Sequence, residues 1–156
     1  METGKKIVIK IGSNVLTLAS GLPDKERIAH IVAQVADLKK AGFQVILVSS
    51  GAVAAGRSIA NIQSSNAVSR RQVLASIGQI ELMGIYNKEF ISHNLLCSQV
   101  LVTKESFRTR QHYLNIKNCL EALLENNVTP IINENDVVSI TELMFTDNDE
   151  LSGLVA

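Results

Sequence analysis

Apolar residues along the chain follow two rhythms, short β-branched runs and helical repeats, and the two alternate. Residues 6–11 form a short run, Lys-Ile-Val-Ile-Lys-Ile, bounded by Gly12, which suits a buried strand ending in a tight turn. From Asp24 onward Ile28, Ile31, Val32, Val35 and Leu38 recur at helical spacing, and Gly42 stands where a helix stop belongs. Residues 44–48 are again apolar and meet Ser49-Ser50-Gly51, after which Ala52, Val53, Ala54 and Ala55 favour a helix. The pattern predicts a long helix over 69–90, bent near Gly78 or Gly84, and a third strand over 99–102. Tyr113, Ile116, Leu120, Leu123 and Leu124 mark a further amphipathic helix ended by Asn126-Asn127, and 128–132 reads as a fourth strand. Residues 61–66, rich in serine and asparagine, read as a surface loop.

Strands alternating with helices predict the α/β class, as a three-layer α/β/α sandwich around a mainly parallel sheet. Parallel neighbours need a crossover, and strands buried on both faces read as continuous apolar runs. Ligands of such sheets bind beyond the carboxyl ends of the strands. The turns there begin Lys10-Ile11-Gly12-Ser13-Asn14, Ser49-Ser50-Gly51-Ala52, Thr103-Lys104 and Asn133-Glu134-Asn135-Asp136. Lys10 either faces water from an alternating strand or neutralises charge on a transferring phosphoryl group, and Gly12 with Ser13 favours the second. Ser50 and Gly51 form either a helix cap or a turn that offers a hydroxyl and backbone amides to a carboxylate. The run from Asn133 to Asp136 holds more hydrogen-bonding capacity than a turn requires, and its acids could hold an ammonium group or a metal-bound nucleotide. Asp147-Asn148-Asp149 should cap a helix over 151–156, a duty that occupies one residue of the three.

Composition narrows the partner. At 156 residues and 46% hydrophobic, the chain has the size of one compact domain. Fifteen basic and fifteen acidic residues give a formal charge of +0, which supplies no electrostatic footprint for nucleic acid or an anionic membrane. No apolar run approaches a membrane span or a signal-peptide core, so a cytoplasmic location is expected. Cys97 and Cys119 lack the spacing of a zinc or redox pair and are expected as reduced thiols. His30, His93 and His112 lack metal-ligand spacing, and no resident metal is expected. Arg70-Arg71 reads as a solvated helix face, and Lys104, Arg108 and Arg110 as a hydrated loop. Neither GxxxxGK[ST] nor GxGxxG occurs, which disfavours a dinucleotide-dependent dehydrogenase.

Taken together, Lys10-Ile11-Gly12-Ser13, Ser49-Ser50-Gly51-Ala52-Val53-Ala54-Ala55-Gly56-Arg57, Ile131-Ile132-Asn133-Glu134-Asn135-Asp136 and Asp147-Asn148-Asp149 with Leu151-Ser152 resemble the amino-acid kinase family. Gln72-Val73-Leu74-Ala75 and Gly78-Gln79 add to the likeness, which is strongest to the branch that phosphorylates glutamate. The resemblance implies transfer of the ATP γ-phosphoryl group to the side-chain carboxylate of L-glutamate, the first step towards proline, with Mg2+ arriving on the nucleotide. Lys10 would stabilise the transferring group beside Gly12 and Ser13, which line the nucleotide's phosphate turn. Asp149 would organise catalytic lysines, and Ser50, Asp136 and Asn148, helped by Gly51 and Asn133, would bind glutamate. Proline as feedback inhibitor and a homo-oligomeric assembly are further implications. In this family the nucleotide is held chiefly by a carboxyl-terminal half that supplies a second lysine, often followed by a PUA domain. Residues 1–156 would then be the amino-terminal, acid-substrate-binding part of a truncated kinase domain, lacking those pieces and inactive alone. Two other readings stay open: a non-catalytic module that holds glutamate or proline, and a sister kinase acting on aspartate or N-acetylglutamate.

Overall fold

The computed structural model describes residues 4–139 and 148–156. In chain order the elements are β1 (Lys6–Ile11), α1 (Ser13–Leu16), α2 (Lys25–Lys40), β2 (Gln44–Ser49), α3 (Ala52–Ile59), α4 (Ala67–Ser92), β3 (Leu96–Val102), a 3-10 turn (Lys104–Phe107), α5 (Arg110–Glu125), β4 (Val128–Glu134) and α6 (Asn148–Val155). The strands lie in the order β1-β2-β4-β3, and each pairing between these strands is parallel.

Strand alternation divides the core in two. Val45, Leu47 and Ile131 face Ile28, Val32 and Val35 of α2, Ala52 and Ala55 of α3, and Leu82, Tyr86 and Phe90 of α4. Ile46, Val48 and Ile132 face Leu120 and Leu124 of α5 and Leu151 of α6. Helices therefore cover both faces, giving the expected three layers. Phe90, Leu47 and Ile132 are wholly excluded from water, and burying a side chain of that size stabilises the fold by about 2–3 kcal/mol.

Local chemistry sets the boundaries. Asp24 caps α2 by accepting from the Arg27 amide, and Asn66 caps α4 by accepting from the Val68 and Ser69 amides. The pairing of β2 with β4 covers Leu47↔Ile131 and Val48↔Ile132, immediately after Pro130, which has no N–H to contribute.

Two expectations change. The third strand begins at Leu96, three residues earlier than the expected 99–102, because β3 lies at the edge of the described sheet and tolerates Ser98. α4 runs from Ala67 to Ser92, two residues longer at each end than the expected 69–90. Gly78 serves close packing: a Cβ there would run into the Ala52 carbonyl of α3, and one on Gly56 would run into the Leu74 backbone.

β2 is followed by α3 on one face, and β4 precedes α6 on the other. Chains leaving neighbouring strands towards opposite faces leave a crevice between them at the strands' carboxyl ends.

Candidate functional site

That crevice is a cleft of about 350 Å3 lined by Ser13, Ser50, Gly51, Ala52, Val53, Ala54, Arg57, Arg71, Asn133, Glu134, Asp136 and Asn148. A larger groove of about 640 Å3 runs along β1 and α2, but its walls are mostly aliphatic, including Ile9, Ile11, Val35 and Leu38. The smaller cleft carries the polar chemistry.

Its centre is Asn148, the first residue of α6. The Asn148 amide nitrogen donates to the Ser49 carbonyl at 2.8 Å and to the Ser50 hydroxyl oxygen at 2.6 Å, and lies 3.4 Å from Asn133 Oδ1. A backbone acceptor fixes which end of the Asn148 amide points where. Asn133 is fixed likewise, because its Oδ1 accepts from the Glu134 amide at 2.9 Å while its nitrogen donates to Gln79 Oε1 at 3.1 Å. Gln79 in turn donates to Gln99 at 2.9 Å. Among the described residues the Ser50 oxygen is used only as an acceptor, which leaves its O–H to donate, and no donor is given to Asn148 Oδ1, which leaves it to accept.

Gly51 follows at φ +101°, a left-handed conformation that side chains resist, and turns the chain from β2 into α3. The first amides of α3 have no partner within the helix and point towards this end of the sheet. Beneath the turn, the Ser49 and Tyr86 hydroxyls share a hydrogen bond of 3.0 Å, and burial pushes the Tyr86 phenol up to about 12.

On the far wall, Asp136 accepts from Arg71 Nε at 3.2 Å and Nη2 at 2.9 Å. Its side chain is only 10% exposed. Gln72 donates to the Val137 carbonyl at 2.8 Å, so α4 grips the same turn twice.

Lys10, which lines the larger groove, pairs with Asp149, the neighbour of Asn148, with Nζ 2.6 Å from Oδ1. A Cβ on Gly12 would lie 3.4 Å from the Lys10 amine, so glycine leaves that amine room.

Of the sequence-selected residues, Ser13, Ser50, Gly51, Asn133, Asp136 and Asn148 line one cleft, and Lys10, Gly12 and Asp149 form a second group, joined to the first in sequence through Ser13 and Asn148. Asp147 lies outside the described residues. Arg71 is a correction: it is half exposed but pairs with Asp136 instead of facing only water. Lys104 pairs with Glu150 at 2.8 Å, so it too is more than a loop cation. Cys97 and Cys119 are free thiols, and burial raises the pKa of Cys97. Gln79 and Arg71 escaped the sequence reading as site residues; only the Gly78-Gln79 spelling hinted at the first.

The amino acid kinase family profile matches residues 5–156. The chain belongs to that family. It is 51% identical to the glutamate 5-kinase of Bacteroides thetaiotaomicron over 97% of this chain and 42% of the relative. The glutamate 5-kinase of Chlorobaculum tepidum is 52% identical over the same shares, and glutamate 5-kinase 2 of Bacillus subtilis is 46% identical over 97% of this chain and 41% of its own length. The chain thus spans about two fifths of the length of these curated relatives. Among solved structures, carbamate kinase from Giardia superposes with a TM-score of 0.64 at 20% identity, covering 99% of this chain and 69% of that one. That likeness concerns the fold, and it agrees with the parallel sheet and two helical layers of an amino acid kinase.

Proposed function

We propose that this chain is the acid-substrate-binding part of an amino acid kinase that phosphorylates the side-chain carboxylate of L-glutamate with ATP. The observation that carries the reading is the bonding of Asn148, which among the described residues leaves the Ser50 O–H to donate and Asn148 Oδ1 to accept. The Ser50 O–H and the α3 amides suit a carboxylate. Asn148 Oδ1 and the Asp136 carboxylate suit an ammonium group. One cleft offering both fits an α-amino acid better than a plain dicarboxylate, and the named relatives support glutamate among the amino acids.

In the proposed reaction a γ-carboxylate oxygen of glutamate attacks the terminal phosphorus of ATP. A new O–P bond forms, the bond to the bridging oxygen breaks, and ADP leaves with that electron pair. Lys10, held by Asp149, would neutralise charge gathering on the phosphoryl oxygens, and Gly12 with Ser13 would line the phosphate side of the turn. Mg2+ enters the proposal as the nucleotide's own counter-ion, neutralising phosphate charge when bound.

Residues 1–156 form, in this reading, the amino-terminal part of one kinase domain. The nucleotide-binding half, a second lysine and any PUA domain would belong to the length that the relatives have in excess. Proline, which carries the same carboxylate beside a nitrogen cation, is proposed as an inhibitor at this cleft, and a homo-oligomer as the assembly. No helix among the described residues is long and apolar enough to cross a membrane, and a cytoplasmic location is part of the proposal.

Calorimetric titration with L-glutamate, L-aspartate and N-acetylglutamate tests the substrate. Glutamate should bind tightest, and N-acetylglutamate, whose nitrogen carries no charge, should lose most. A preference for aspartate or for the acetylated ligand overturns the assignment. The 156-residue chain should release no ADP from ATP with glutamate present, whereas a chain extended to the relatives' length should; turnover by the short chain would refute the division of labour.

A further inference from the structure

Arg71 lies one turn into α4 and reaches across 65 positions of sequence to Asp136. An arginine fork commonly gives one N–H to each oxygen of a carboxylate. Here Nε and Nη2 both converge on Oδ1, at 3.2 and 2.9 Å. Oδ2 receives no hydrogen bond among the described residues. The carboxylate that carries it is nearly enclosed and borders the cleft, so its spare oxygen is an acceptor held beside the ligand space. The adjacent Gln72 holds the adjacent Val137 carbonyl, so the turn carrying Asp136 is fixed by consecutive residues of one helix.

We propose that Arg71 is a positioning and specificity-determining residue, holding Asp136 by Oδ1 so that Oδ2 stays aimed for the ammonium group of the substrate. This inference rests on the glutamate reading of the cleft. Its chemical consequence is selection between an amino dicarboxylate and a dicarboxylate of the same length without nitrogen. The guanidinium also repels an ammonium, and exposure decides which effect prevails. Arg71 is 52% exposed, so water screens its charge, whereas the Asp136 side chain is 10% exposed and, among the described residues, takes its side-chain hydrogen bonds from Arg71 alone.

The test is a titration of the chain and its Arg71→Ala, Arg71→Lys, Gln72→Ala and Asp136→Asn variants with L-glutamate and with glutarate, which is glutamate without its amino group. Arg71→Ala should weaken glutamate binding about fivefold, at the upper end for a half-exposed ion pair, and leave glutarate unchanged. Arg71→Lys, which keeps the charge and one donor, should recover part of the loss. Gln72→Ala, a loss of support to the same turn, should not separate the two ligands. Equal loss on both ligands overturns the inference, since Arg71 would then grip a substrate carboxylate or merely support the fold. So does unchanged glutamate affinity in Arg71→Ala while Asp136→Asn loses it. Unchanged glutamate affinity in Asp136→Asn, or a parent chain that binds both ligands alike or neither, instead overturns the glutamate reading and the inference with it.

Discussion

The side-chain nitrogen of Asn148 lies 2.6 Å from the hydroxyl oxygen of Ser50, joining residues 98 positions apart. The same nitrogen satisfies the Ser49 carbonyl, and Asn148 is itself buried. Asn148→Ala should therefore leave that carbonyl without its side-chain donor and cost about 1–3 kcal/mol in urea unfolding. Asn148→Asp, nearly identical in shape, should cost more, because it sets an acceptor against the Ser49 carbonyl and Asn133 Oδ1, neither of which can donate. An Asp variant more stable than the Ala variant would show that the amide does not donate as described.

Lys10 and Asp149 predict a split between stability and turnover. Their side chains are 31% and 64% exposed, and a pair so hydrated should couple by at most about 1 kcal/mol in a double-mutant cycle. In a chain of the relatives' full length, Lys10→Ala should nevertheless lower phosphoryl transfer by about 10²–10³-fold, the usual loss of one preorganised charge-stabilising group. A loss of activity matched by a loss of stability would assign Lys10 to the fold instead.

Tyr86 supplies a pH dependence. Its folded pKa is raised from 10.0 to about 12, so between those values the native state retains a proton that the unfolded chain releases. Stability from this group is complete below pH 10 and is lost as pH rises through 12. The loss amounts to about 2–3 kcal/mol for a shift of that size. Tyr86→Phe removes the titrating hydroxyl, so its alkaline decline in unfolding free energy should be shallower than that of the parent by this amount. Parallel declines would refute it.

Gly78→Ala sets propensity against packing. Within a helix the change should stabilise by about 1 kcal/mol if nothing touches the site. The Ala52 carbonyl of α3 occupies the space a Cβ needs, so the variant should instead be destabilised by about 1–3 kcal/mol. A rise in melting temperature would mean that α3 and α4 can move apart freely.

How far the sequence discloses this structure depends on the range of each interaction. The central strands β2 and β4 were readable because burial on both faces demands unbroken apolar runs, and α2 because Asp24, Ile28 and Val32 keep helical register. The packing role of Gly78 was not legible, because it requires knowing that α3 crosses there. Arg71 was read as solvated because its immediate neighbours look solvated, while its partner is 65 residues away. The cleft itself was legible as a set of polar strand ends. What local sequence does not carry is which end of each amide donates; the backbone groups of Ser49 and Glu134 decide that only once the strands are side by side.

The sheet order places β4, the last described strand along the chain, between β2 and β3. β1 and β2 can pair early, but β3 has no described strand neighbour until residues 128–134 slot into the gap. Such insertion is a nonlocal step that closes a long loop, and it slows folding more than local hairpins do. Until it happens two strand edges stand open to intermolecular pairing, so a slow or overcrowded synthesis should aggregate through β2 and β3. Ser50, just past the end of β2, and Asn133, on β4, are brought together in that step, and the ligand cleft therefore comes into being only as the sheet closes.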